Sequence, residues 1–292
     1  MNAGAPLPCK SRELIGSLQE TPADGNRGLW FERLFSAYRP GFKSFKEAYG
    51  GSKKEQKTEK SLRVKWLTEA AAKPAGDATR LRSHAQTHAA LVRRLHGGFG
   101  VYATTWNLAT GLGRAHPLEN GFAWHHTLGV PYIAGSGVKG MLRAWLEVWA
   151  EQPSPDLDRW FGTPKHVGSL IVFDALPIEP VTLAADVLTP HAGKWYEEGD
   201  EVDAAENYSA LPADWNSPIP VSFMAVKRAR LLFSVAPRKI GDDSSRSDAI
   251  ALIDQLTLAL ATVGVGAKTA AGYGRLERDD SATRQIVDLL PP

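Results

Sequence analysis

Val138, Met141, Leu142, Trp145, Leu146 and Trp149 fall at offsets of 0, 3, 4, 7, 8 and 11 along the chain. That spacing is one face of an α-helix, and it predicts a helix over residues 136–149 with Ser136 as its N-cap. A second periodic run predicts a helix over about residues 247–263, burying Ile250, Ile253, Leu256 and Leu260. Around these lie β-branched and aromatic runs bounded by Gly and Pro, which read as strands over 101–108, 122–128, 169–175, 181–188, 221–226 and 230–235. A Gly-rich loop, 264–274, leads into a last strand. Strand, helix, strands, helix, strand is an α+β order, the βαββαβ pattern of ferredoxin-like and RNA-recognition folds.

The periodic core begins after Gly97-Gly98, so residues 97–280 read as one domain, with 281–292 as a C-terminal tail. Upstream, residues 1–26 read as an unordered arm, and 28–48, 61–72 and 80–95 as helical, which makes 1–96 a mostly helical extension. Residues 189–220, rich in Pro and acid, read as a long irregular insertion.

Charge sharpens this division. The formal net charge is only +2, yet residues 39–96 hold 14 Lys and Arg against five acids, and residues 186–214 hold eight acids against one Lys. A basic block beside an acidic one suits a polyanion on one surface and a protein neighbour on another, or two solvated faces. Cys9 is the single cysteine, which excludes an intramolecular disulfide framework and a multi-cysteine zinc module. No run approaches the roughly 18–20 apolar residues that span a bilayer, and the N-terminus lacks the order of a signal peptide. The expectation is a cytoplasmic protein with no membrane partner.

Four constellations could carry chemistry. Gly264, Gly266, Gly272 and Gly274 with Lys268, Thr269 and Arg275 form a loop whose N–H groups could accept phosphate oxygens. A nucleotide-binding P-loop is excluded, because a helix precedes the loop and Thr262 and Ala267 stand where glycines are needed. Ser136, Lys139 and Arg143 on the 136–149 helix would track phosphates, Lys139 and Arg143 being one turn apart. Arg114, His116 and Glu119 share a loop after a strand, with His125 and His126 downstream. A metal site there is disfavoured, since adjacent strand histidines face opposite ways. Asp186 and His191 could form an acid/base pair, but spacing fixes no nucleophile beside them.

The segments GLGRAHPLENGFAWHHTLGVPYIAGSGVKGMLR, FGT, VFDALP, DVLTPH and GVGAKTAAGYGR, in this order, resemble the RAMP superfamily of CRISPR systems, and within it the sixth-subunit branch of type III-B (Cmr) effector complexes. The resemblance spans about residues 97–278. It implies an RRM-like core that grips CRISPR guide RNA by backbone and shape, near the guide's 3′ part, with target RNA reached through the guide duplex and other Cmr subunits as neighbours. It implies no catalytic residue, metal or cofactor. In that pattern the binding loop corresponds to Gly264, Gly266, Lys268, Gly272 and Gly274, and the helix start to Gly135, Ser136, Lys139, Gly140 and Arg143. Ala134 and Gly137 depart from the pattern, where Pro and Ser are usual. The alternative within the superfamily is a metal-independent endoribonuclease acting on CRISPR precursors, for which His116, His125 and Lys268 are the candidate acids and bases.

Overall fold

The apolar runs assemble into a five-stranded antiparallel sheet covered on both faces, with two separate two-stranded pairs beside it. The computed structural model describes residues 25–34, 63–199, 211 and 216–290. Residues 1–24 of the predicted 1–26 arm and residues 35–62 lie outside the described residues, as do Cys9 and residues 200–210 and 212–215 of the acidic insertion. Helix α1 (Arg27–Arg33) is followed by α2, helical over residues 63–71, and α3 (Ala78–Arg94). Then come β1 (Gly98–Thr104), β2 (Trp124–His125), β3 (Val130–Pro131), α4 (Gly135–Val148) and α5 (Ser154–Phe161). Strands β4 (Leu170–Val172), β5 (Leu176–Pro177) and β6 (Thr182–Leu188) precede α6 (Gly193–Glu198). The chain continues through β7 (Val221–Arg228), β8 (Arg230–Pro237), α7 (Asp243–Thr262), β9 (Leu276–Arg278) and α8 (Asp280–Asp288).

The sheet order is β4–β8–β1–β9, and β5 pairs with β8 further along the edge that β4 occupies. Strands β6 and β7 form a separate two-stranded ribbon. Because side chains alternate along a strand, β1 sends Tyr102 to one face and Val101 to the other. Tyr102, Leu231, Phe233 and Val235 meet α4 and α7 in the main core. Val101 and Leu232 meet Ala85 and Ala89 of α3 and Ala282 and Ile286 of α8. With both faces covered, β8 is buried from Leu231 to Pro237 rather than alternating.

Several expectations change in this context. Residues 281–292 are not simply a tail: α8 covers part of the sheet, capped by Asp279, which accepts from the Ala282 N–H. The N-terminal elements join the core. Trp30 stacks on Trp66 with ring centroids 3.9 Å apart, and Arg27, only 3% exposed, donates to the carbonyls of Ala70 and Lys73 at 3.0 Å. Helix α7 starts at Asp243, earlier than predicted, because the Asp242 carboxylate caps Ser245. Its buried stripe runs through Ala249, Leu252, Leu256 and Ala259, which leaves Ile250 50% exposed. The strand predicted over 122–128 shrinks to two residues, and the described start of the insertion contains helix α6.

Candidate nucleic-acid interface

Helix α4 begins where the sequence places a phosphate-tracking surface, but it is capped differently from expectation. Ala134 is extended, with φ −61° and ψ 139°, and offers no side-chain cap. The cap comes from another part of the fold: Asp174 Oδ1 accepts from the Gly135 N–H at 2.6 Å. A side chain at Gly135 would collide with the Val172 carbonyl, so only glycine lets the helix start sit against β4. Ser136 is therefore the second helical residue, and it faces a cleft instead of capping the helix.

The opposite wall is the Gly-rich loop. It folds back on the segment after β1: Ala267 N–H donates to Ala109 O at 2.7 Å, Gly274 N–H to Asn107 O at 2.9 Å, and Val265 N–H to Gly274 O at 2.9 Å. Gly266, at φ 94°, would drive a side chain into the Ala109 carbonyl, so its lack of a Cβ serves this docking. Lys268 adopts φ 63°, a left-handed conformation uncommon outside glycine, and turns the chain into a single 3-10 turn over Thr269–Ala271. Among the described residues, the N–H groups of Gly266 and Thr269 donate to no protein acceptor. They remain available to a ligand.

Between these walls is a cleft of about 590 Å³. Five of the ten residues expected to bind RNA line it, drawn from three separated segments: Arg114, Ser136, Gly264, Gly266 and Thr269. Arg114 is exposed and makes no ion pair among the described residues. One cation, the Ser136 side chain and loop amides around an open trough suit a sugar-phosphate chain.

The other five lie elsewhere. Lys268 is exposed on the loop but does not line the cleft. Lys139 is half-buried on α4, outside the lining. Arg143 pairs with Asp158 at 2.8 Å and donates to Gly162 O at 3.0 Å, which anchors α5 to α4. Arg275 is half-buried, and its backbone carbonyl accepts from Thr105. His116 is a core residue. It stacks on Phe31 at 4.6 Å, Nε2–H donates to Phe31 O at 3.1 Å, and Nδ1 accepts from the Leu118 N–H at 3.2 Å. Those two bonds fix the neutral tautomer, and burial holds its pKa below the ordinary value. The ring is turned into the core, with both nitrogens engaged within the protein.

The proposed acid/base pair also comes apart. Asp186 accepts from Asn107 Nδ2 at 2.9 Å and from Tyr273 OH at 2.7 Å. His191 Nδ1–H instead donates to Asn216 O at 2.6 Å. Burial and then Asp186 push the Tyr273 pKa up to about 12. This network ties β6 to the Gly-rich loop, which is a positioning task. His125 Nδ1 accepts from the Leu128 N–H, and Glu119 pairs with Arg63, so the 114–125 loop presents no assembled metal set. Among the described residues no group of His, Cys, Asp and Glu is placed to hold a metal ion, and no helix is long and apolar enough to cross a membrane.

Sequence reasoning missed the far end of the cleft. Trp149, predicted to be buried, is 62% exposed, and it stacks on Trp145 with ring centroids 5.9 Å apart and planes 14° from parallel. The available signal was its position: Trp149 is the C-cap residue of α4, beyond the last turn that reaches the core.

A family model described as the RAMP superfamily matches residues 91–277, more than half of the chain. The chain is 28% identical over 257 residues to the CRISPR system Cmr subunit Cmr6 of Pyrococcus furiosus, covering 67% of this chain and 72% of that protein. It is 27% identical over 173 residues to the CRISPR system Cmr subunit Cmr6 of Saccharolobus solfataricus, covering 58% of this chain and 52% of that protein, about half its length. Among solved structures, a chain in the type III-B Cmr-beta complex bound to cognate target RNA matches with a TM-score of 0.60 at 16% identity, covering 91% of this chain and 94% of that one. That likeness is one of fold.

Proposed function

The chain belongs to the RAMP superfamily, and from that premise we propose that it is a non-catalytic, guide-RNA-binding subunit of a type III-B (Cmr) CRISPR effector complex. The observation that carries this reading is the cleft, where Arg114, Ser136, Gly264, Gly266 and Thr269 converge from three segments. The likeness to two Cmr6 proteins supports the choice of complex. The strand order β4–β8–β1–β9, with α4 and α7 on one face, supports a ferredoxin-like core. Its opposite face is closed by α3 and α8, so RNA is gripped at the helix start and Gly-rich loop instead of on an open sheet.

In this reading the protein holds the guide near its 3′ part by phosphate contacts, which position RNA without reading sequence. Target RNA is met through the guide duplex, and other Cmr subunits are its neighbours in the cytoplasm. A catalytic role is disfavoured by His116, whose two ring nitrogens are both engaged inside the protein. The test is purification of the tagged chain from cells carrying the whole CRISPR locus, with RNA sequencing and ultraviolet crosslink mapping. Guide RNA crosslinked to peptides containing Arg114 or residues 264–274 is expected. Assembly of the chain without RNA contact, or cleavage of precursor RNA by the pure chain in EDTA, overturns the reading.

A further inference from the structure

At the end of the cleft away from the Gly-rich loop's tip, α4 carries two tryptophans four residues apart. Trp145 is half-buried and held by its Nε1–H, which donates to Gln255 Oε1 of α7 at 3.0 Å. Trp149 lies nearly parallel to it, and its neighbour Val148 is 68% exposed. A large apolar surface in water is unfavourable unless something covers it, and here the inner ring is fixed before any ligand arrives. Both rings line the same cleft as Arg114, Gly266 and Thr269. The helix face between them is low: at Gly140 a side chain would meet nothing within 4 Å. From Ser136 to Trp149 the helix spans about 20 Å.

We infer that Trp149, braced by Trp145, is a base-stacking platform for an unpaired nucleotide of the bound RNA, whose backbone continues to the Arg114 and Gly-rich-loop end. The inference rests on the RNA-binding function proposed above and adds the subsite that would hold a base. A base suits the site better than a protein side chain, because the platform opens into a trough whose other end offers a guanidinium and free amide donors. Stacking accepts any base, as expected of a protein that must hold many guide sequences.

The test uses the full-length chain and fluorescence anisotropy with a labelled single-stranded RNA and the same RNA made abasic. Wild type is expected to bind the abasic RNA about tenfold more weakly. Trp149→Ala should weaken binding of the intact RNA by a similar factor and abolish the difference between the two RNAs. Trp149→Phe should restore most of both, and all variants should melt near wild type because the ring is exposed. Trp149→Ala should leave the salt dependence unchanged, whereas Arg114→Ala should reduce its slope by roughly one phosphate contact. If Trp149→Ala binds both RNAs as wild type does, the platform holds no base. If it instead lowers incorporation into the complex with RNA affinity intact, a protein neighbour covers the tryptophans and the inference fails. A wild-type chain that binds neither RNA removes the proposed function itself, which is a different result from either.

Discussion

Asp174 and Gly135 are 39 residues apart in sequence and joined by a 2.6 Å hydrogen bond from the glycine N–H to the aspartate carboxylate. A helix start leaves its first N–H groups unpaired, and a carboxylate there is favoured by both hydrogen bonding and the helix dipole. The bond therefore couples the β4–β5 connection to the wall of the cleft. It also replaces the local cap that Ser136 would have supplied, freeing the serine hydroxyl for the cleft.

Replacing Asp174 with Ala should cost about 1 kcal/mol of stability, the usual scale for a lost cap. RNA affinity should fall as well, since Ser136 and Gly137 lose their fixed position. Asp174→Asn should recover part of both. Urea unfolding and RNA titration together check this; full stability loss with unchanged RNA affinity would show that the helix start does not touch RNA.

Arg143 and Arg114 separate structural from binding cations. Arg143 is committed to Asp158 and Gly162 O, with both charged partners partly exposed, so Arg143→Ala should cost no more than about 1 kcal/mol. RNA affinity and its salt slope should stay at wild-type values. Arg114→Ala should do the reverse, leaving the melting temperature alone while flattening the salt slope. A flattened slope in Arg143→Ala instead would return Arg143 to the RNA surface.

The difference between those two arginines marks what could be seen in sequence. Periodicity located α4, α7 and the central strands because each buries a stripe of its own: Val138, Leu142 and Leu146 are one face by spacing alone. Which cation would be consumed internally could not be seen, since Asp158 meets Arg143 only after α5 folds back on α4. The burial of His116 was hidden for the same reason. Its partner Phe31 lies 85 residues upstream in a helix that sequence spacing assigned to a separate extension. The glycine pattern of the loop was legible as backbone freedom, but its immediate use, docking on Ala109 and Asn107, is a tertiary contact. Trp149 was hidden by periodicity itself, which cannot tell where a helix outruns its core.

His116 should give the protein's stability an acid limb. Its pKa is lowered in the folded state from an ordinary 6.5, by burial first. His84, His88 and His125 are lowered too, again by burial first. Below pH 6.5 the unfolded chain takes up protons that the folded chain refuses, so stability present at neutral pH is lost as the pH falls from 6.5 toward the depressed folded values. Thermal melts across pH 7.5 to about 5 should show this decline. His116→Phe keeps a ring against Phe31 but cannot titrate. It should be less stable at pH 7.5, since Phe31 O and Leu118 N–H lose a partner, yet show a shallower decline. An equally steep decline would place the acid sensitivity in the other histidines.

Tyr273 and Asp186 test whether the Gly-rich loop must be held rigid to bind. The tyrosine hydroxyl donates to the same Asp186 oxygen that accepts from Asn107, so one carboxylate fixes the loop, β6 and the segment after β1. Tyr273→Phe removes one bond and leaves the half-buried ring against Phe223; the expected stability cost is about 1 kcal/mol. Asp186→Ala removes both bonds and should loosen the whole junction. Amide exchange should then speed up at Ala267 and Val265, whose N–H groups anchor the loop to Ala109 and Gly274. RNA affinity should follow the order wild type, Tyr273→Phe, Asp186→Ala, with the salt slope constant because no cation has been removed. Faster exchange with unchanged affinity would mean that the loop binds as well mobile as fixed, and that RNA contact rests on Arg114 and the α4 side of the cleft.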